Sequence, residues 1–350
     1  MDKNAKELLT QLVKIRSVTF SENEACAFFA QALPSFGWES VKTDEVGNVI
    51  AQRGNGAKEI MLLGHIDTVP GGPEARADGN ILWGRGSVDA KGPLCTLAVA
   101  GGACRIPQDW KITLIAAVGE EVDGHGARHI IQKYSPVGCI IGEPSGTDGI
   151  TIGYRGFLVA KLYAHDGGVH RSMDAGPITS TLLAASDIIR RVKAMDKPDK
   201  PIIERPSCAI ISMFGKEEGE RTALINIDIR LPIGAVVEDY IRAITEISNE
   251  HNVLIEVLST MSAYLVDKNN PMARALRIAV RKEGLSPRIL AKGGSADFNL
   301  AAAWNCPIAA YGPGDSKLDH TKDEHIDLES YMTSISILKS GIEDFITYQN

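Results

Sequence analysis

The chain has 350 residues, more than one ordinary domain holds, so two domains are the expectation. A hydrophobic content of 44% with 23% charged residues supports full cores, and a net charge of −7 argues against nucleic acid as the main partner. No apolar run reaches the ~18–20 residues that span a bilayer, the charged N-terminus reads as a helix and not a signal peptide, and six cysteines without C-x-x-C spacing read as free thiols. A cytoplasmic protein with no membrane partner is expected.

Leu8, Leu9, Leu12, Val13 and Ile15 recur at helical spacing over residues 4–16. Ser21 and Glu24 form a capping-box pattern ahead of a second helix, Ala25 to Leu33. Short strands are expected around Val41, at Val49 to Gln52 and at Glu59 to Leu63. The stretch Gly64 to Gly92 follows, with His65, Asp67 and Asp89, and its segment from Gly71 to Leu82 reads as a mere connection. Lys91 to Ala103 is helical, Lys111 to Val118 is an apolar strand ending in Gly119-Glu120-Glu121, and 127–134 is a helix. Val137 to Ile141 is another strand, ending in Gly142-Glu143-Pro144-Ser145. Apolar strands alternating with helices predict an α/β fold with a mostly parallel sheet flanked by helices, its motifs at strand ends where open sheets bind ligands.

Near Thr151 the pattern changes. Alternating strands at Leu158 to Ala164, Cys208 to Phe214, Leu224 to Leu231 and Leu254 to Leu258 enclose helices at Thr179 to Val192 and Val236 to Glu250. This β-α-β-β-α-β order predicts an inserted ferredoxin-like α+β domain over 153–265, between catalytic segments 1–152 and 266–350. A helix at Pro271 to Glu283, the loop Gly293-Gly294-Ser295-Ala296-Asp297, a strand near Ile308 to Tyr311 and a closing helix from about Asp327 complete the chain.

Metal-capable residues collect at the strand-end loops: His65, Asp89, Glu120, Glu121, Glu143 and His320. Residues two apart on a strand share a side, so Asp67 can take the second ring nitrogen of a metal-binding His65. Imidazoles and carboxylates without a thiolate suit Zn²⁺, with Co²⁺ as the second choice. The set exceeds one four-coordinate site but serves two ions sharing a carboxylate. Of the adjacent pair Glu120 and Glu121, one can bind metal while the other acts as general base. Singly, each residue has an ordinary reading: Glu-Glu as solvated surface, a strand-end histidine as a satisfied polar group. His325 competes with His320, and Lys91-Gly92 is the wrong order for a phosphate loop.

Together, His65-x-Asp67, Gly-x-x-Asp89-x-Lys-Gly, Glu120-Glu121 and Gly-Glu143-Pro-Ser resemble the dinuclear metallohydrolase family of glutamate carboxypeptidases, acetylornithine deacetylases and succinyl-diaminopimelate desuccinylases. The resemblance covers essentially the whole chain and implies a zinc-exopeptidase-like fold. It implies His65, Asp89 and Glu143 on one divalent metal and Asp89, Glu121 and His320 on the other. Asp89 then bridges, Asp67 orients His65, Glu120 is the general base, and the Asp89–Ala90 peptide is cis. The inserted domain is by the same resemblance a lid that forms a homodimer. His170, in Gly167-Gly168-Val169-His170-Arg171-Ser172, would stabilise the oxyanion, and Arg230, Gly294 and Ser295 match substrate-carboxylate positions, the ordinary alternative for Arg230 being a structural ion pair with Asp228 or a neighbour.

Trp83 to Leu94, Gly142 to Asp148 and Tyr311 to Thr321 are most similar to the lysine/ornithine hydrolases of carrier-protein-mediated biosynthesis within that family. These imply release of lysine or ornithine from the γ-carboxyl of the C-terminal glutamate of an acidic amino-group carrier protein. The alternatives are a deacylase of N-acetyl-ornithine, N-acetyl-lysine or succinyl-diaminopimelate, or a catalytically silent metal- or peptide-binding relative. Two basic clusters offer themselves for carrier docking: Arg190, Arg191, Lys193, Lys197, Lys200 and Arg205, and Arg281, Lys282, Arg288 and Lys292.

Overall fold

The computed structural model describes residues 2–170, 172–217 and 219–349, and the chain divides into two compact units. The first comprises Met1–Ile152, Val266–Leu290 and Ala296–Asn350; the second comprises Gly153–Leu265 and Ala291–Ser295.

The α/β architecture expected from the apolar strands is the one found. In the first unit, Lys58–His65 lies at the centre of the sheet, parallel to Trp110–Ala117 on one side and to Gly138–Gly142 on the other. Ile308–Ala310 continues the parallel core beyond Gly138–Gly142. The margins run antiparallel: Val49–Arg53 and then Ser40–Thr43 at one side, Gly149–Tyr154 at the other. Ile60 to Leu63 and Leu114 to Ala117 are fully buried, because helices cover both faces of these strands. The helix Lys91–Ala103 is buried along nearly its whole length, hence its small and apolar composition. A Cβ at Gly101 would stand 2.5 Å from Leu62 Cδ1 and 3.0 Å from Trp38 Cζ2, so any larger residue there would make these side chains shift. The helix Pro271–Lys282 starts on a true cap, with the Asn270 side chain accepting from the Met272 and Ala273 amides.

Two local expectations are corrected. The Ser21–Glu24 capping box does not form: the helix Asn23–Ala32 begins after Glu22, with no side-chain cap. Nor is Gly71 to Leu82 a plain connection. Arg76–Asp78 and Ile81–Trp83 make a hairpin that His325–Asp327 extends to a three-stranded sheet. Three-residue strands are too short to show a period, and here ring contacts among Arg76, Trp83 and His325 hold the small sheet.

The second unit is a four-stranded antiparallel sheet in the order Ser207–Lys216, Arg221–Leu231, Gly156–Asp166, Leu254–Met261. With helices Gly176–Met195 and Val237–Glu250 this is the ferredoxin-like arrangement. Alternation is strict: Leu158, Ala160 and Leu162 with Ile225, Ile227 and Ile229 pack against Ala184, Ile188 and Ile244 of the helices. The strand Ser207–Lys216 forms an edge and is exposed along almost its full length. Arg171, inside the histidine motif, lies outside the described residues.

Candidate metal and catalytic centre

The parallel core of the first unit delivers its polar side chains at one end. His65 closes the strand Lys58–His65, Glu120 and Glu121 follow Trp110–Ala117, and Glu143 follows Gly138–Gly142. Asp89 comes in just before the helix Lys91–Ala103, through a cis Asp89–Ala90 peptide. His320 comes from the loop after Ile308–Ala310, at a φ of 60°.

These residues form two groups with one member in common: His65, Asp89 and Glu143, and Asp89, Glu121 and His320, each with ligand atoms within 4.8 Å of one another. Asp89 turns a different oxygen to each imidazole. Its Oδ1 lies 3.2 Å from His65 Nε2 and its Oδ2 lies 3.0 Å from His320 Nε2. Glu143 Oε1 is 3.8 Å from His65 Nε2, and Glu121 Oε2 is 3.1 Å from His320 Nε2. A tetrahedral ion with bonds of ~2.0–2.2 Å needs donors about 3.4 Å apart. The observed spacings bracket that value, and a carboxylate presenting one oxygen to each group is what a bridge requires. The donor set therefore fits two divalent cations.

The charges reinforce one another. Burial disfavours an imidazolium at His65, but its hydrogen bonds to the Asp67 and Asp89 carboxylates outweigh this and hold its pKa well above the ordinary value. At His320 the hydrogen bonds to Asp89 and Glu121 raise it to about 10. Burial would raise Asp89, yet the hydrogen bonds from His320 and His65 hold it far below the usual carboxylate range. In each case a positive charge is wanted where the imidazoles meet carboxylates, the role cations would fill.

Asp67 does more than was expected of it. His65 Nδ1 meets both the Asp67 backbone carbonyl at 3.1 Å and its Oδ1 at 3.3 Å. The fully buried carboxylate also accepts the amides of Glu120 and Glu121, each at 3.1 Å, and the Thr19 hydroxyl at 2.7 Å. One side chain thus holds His65 and the Glu120–Glu121 turn together. Burial raises the Glu120 pKa well above the carboxylate value; His65 opposes this, while Asp297, Glu143 and Glu121 add to it. Asp297, also buried, is pushed to about 7, first by burial.

Other histidines have different employment. His325 lies against Trp83, 4.4 Å between ring centroids, and outside both ligand groups. His125 bonds Asp123, and His251 bonds Asp187. A third group, Asp44, Glu45 and His129, is taken up otherwise: Asp44 accepts from Val46 and Asn48, and Glu45 pairs with Lys133.

In the second unit, His170 is exposed and its Nδ1 lies 2.8 Å from Ser172 Oγ. Arg221 ties together the ends of that loop, donating to Asp166 Oδ1 and Asp174 Oδ2 at 2.8 Å each. Arg230 meets Ser295 Oγ at 3.2 Å and Asp228 Oδ2 at 2.8 Å, so the ion-pair partner and the glycine loop are both present. Gly294 is exposed, with open space where a Cβ would stand.

Sequence reasoning missed Thr19 and Glu324. Glu324 is fully buried and accepts three backbone amides beside Asp89. Neither lies in a motif, and both act through contacts spanning more than 45 positions of chain, which no local pattern reveals.

Residues 61–344 match the family model described as Peptidase family M20/M25/M40. The chain is 34% identical to the [LysW]-lysine hydrolase of Deinococcus radiodurans, over 97% of this chain and 96% of that protein. It is 29% identical to the [LysW]-lysine/[LysW]-ornithine hydrolase of Saccharolobus solfataricus, over 97% and 95%. In fold it is similar to an M20 family metallo-carboxypeptidase from Sulfolobus solfataricus, with a TM-score of 0.79 at 15% identity, covering 99% of this chain and 100% of that one.

Proposed function

The chain belongs to peptidase family M20/M25/M40, and from that premise we propose that it hydrolyses the amide joining lysine or ornithine to the C-terminal glutamate of an acidic amino-group carrier protein. It is a metal-dependent amide-bond hydrolase. The observation that carries the mechanism is Asp89 presenting one oxygen to each histidine-bearing group. The substrate rests on the near-full-length likeness to carrier-directed hydrolases.

His65, Asp89 and Glu143 would hold one cation and Asp89, Glu121 and His320 the other, Zn²⁺ first and Co²⁺ second by donor type. When bound, the pair supplies Lewis-acid polarisation of the scissile carbonyl and acidifies water. Glu120 takes a proton from the attacking water as the new C–O bond forms, and delivers it to the departing amine as the C–N bond breaks. A half-buried carboxylate with raised proton affinity suits both halves of that transfer. Asp67 keeps Glu120 and His65 in register through the bonds described above. His170 is assigned to the oxyanion by its motif, and Arg230 with Ser295 to a substrate carboxylate, for which a guanidinium is the apt partner.

The protein is proposed to be a cytoplasmic homodimer. All six cysteines are free, as in a reducing compartment, and among the described residues no helix is long and apolar enough to cross a membrane. For the dimer, the unprotected edge Ser207–Lys216 carries exposed Ile211, Met213 and Phe214, an edge that a second copy would cover. Of the basic residues considered for carrier docking, Arg190, Arg205, Lys282 and Arg288 already pair with in-chain aspartates. Arg191, Lys193, Lys197 and Lys200 stay exposed and make the better docking surface.

The test is release of lysine from the carrier conjugate by metal-loaded enzyme. Loss of activity on chelation and its return with Zn²⁺ or Co²⁺ supports the reading; full turnover in excess chelator refutes it.

A further inference from the structure

The loop that carries Asp89 and the segment that carries His320 are joined by one buried side chain. Glu324 is fully buried, and its Oε1 accepts the amides of Gly86, Val88 and Asp89 at 2.9, 3.0 and 3.1 Å. Its Oε2 pairs with Arg85 Nη1, and its backbone carbonyl accepts from Gly84 at 3.2 Å. Arg85 returns the link by donating Nη2 to the Thr321 carbonyl at 3.2 Å. Every one of these contacts runs between 84–89 and 321–324. Three amides converging on one carboxylate oxygen, with a guanidinium on the other, make a strong charge-assisted cluster away from water.

The two cation groups depend on this link unequally. His65 and Glu143 sit on or just beyond neighbouring parallel strands, where Gly64 pairs with Gly142, so the sheet itself spaces them. His320 stands in an irregular loop with its side chain 47% exposed. We propose that Glu324 is a positioning residue that sets the separation of Asp89 and His320 and thereby the affinity for the cation of the Asp89–Glu121–His320 group. The proposal rests on the two-metal reading above. Glu324 touches no reacting atom. It holds one ligand loop against the other.

The test titrates metal-free protein with Co²⁺, following ligand-field absorption and competition with a chelator. Wild type is expected to take up two ions. Glu324→Ala should bind the first within about threefold of wild type and the second at least tenfold more weakly, with kcat restored by excess metal and KM unchanged once both ions are bound. Glu324→Gln keeps an acceptor for the amides but loses the charge facing Arg85, and should fall between the two. If Glu324→Ala does not fold, Arg85→Met, which removes the guanidinium and the Thr321 link but leaves the three amide bonds, must weaken the second site selectively, to an intermediate extent. Two wild-type affinities in the folded variant, or equal weakening of both, overturns the proposal. Wild type that binds fewer than two ions overturns the two-metal reading itself.

Discussion

Glu120 adjoins the candidate ligand Glu121 in the chain but lies outside both ligand groups. The Glu120–Glu121 pair in the sequence required only that one side chain bind metal and the other not. The structure places Glu121 3.1 Å from His320 Nε2, and Glu120 in neither ligand group. We therefore expect Glu120→Gln to keep two bound metals by elemental analysis while kcat falls ~10²–10⁴-fold, the usual worth of a general base. Loss of metal with activity would mean that Glu120 is a ligand. The candidate ligands His65, Glu121 and Glu143 stood out because each ends or closely follows an apolar strand. Thr19 and Glu324 did not, because their partners Asp67 and Asp89 are distant in sequence. Arg230 was legible only as two competing readings, and both contacts exist: Asp228 at 2.8 Å and Ser295 at 3.2 Å.

Among the elements, apolar strands and the longer helices were predicted to within a few residues, and the buried helix Lys91–Ala103 to the residue. The hairpin Arg76–Asp78 and Ile81–Trp83 was not, since it gains its order from His325–Asp327, far along the chain. Arg221 gives the His170 loop its closure, because a single buried guanidinium bonds Asp166 and Asp174 at its two ends. Arg221→Met should lower kcat severalfold with metal content unchanged; unchanged kcat would detach that loop from catalysis. The second unit also has an acid limit. Hydrogen bonds from Arg221, His251 and Arg205 hold Asp166, Asp187 and Asp196 below the ordinary 3.8. The unfolded chain then takes up these protons at higher pH than the folded one. Their stabilisation is full above about pH 4 and fades as pH falls through the lower folded values. Hydrogen exchange in Gly156–Asp166 and Arg221–Leu231 should accelerate below that pH, and less steeply in Arg221→Met. Exchange independent of pH, after correction for intrinsic rates, would contradict this.

For the whole molecule, composition bounded the class and the motifs the chemistry, but neither contains the substrate. Nothing in the metal groups distinguishes a carrier-linked lysine from a small acyl amino acid, because both present the same amide to the same residues. If the carrier is acidic, as proposed, its docking on an enzyme of net charge −7 calls for a local basic surface, for which Arg191, Lys193, Lys197 and Lys200 are available. KM for the carrier conjugate should then rise steeply between low and physiological salt, while KM for a small amide substrate stays nearly flat; two equal slopes would exclude charge-guided docking. The most direct measurement of the central claim is kcat/KM of the metal-loaded enzyme on carrier-linked lysine and ornithine beside N-acetyl-ornithine, N-acetyl-lysine and succinyl-diaminopimelate. A carrier conjugate should be preferred by at least 100-fold. Equal or better turnover of a small acyl substrate would contradict the account and make the protein a deacylase of the same family.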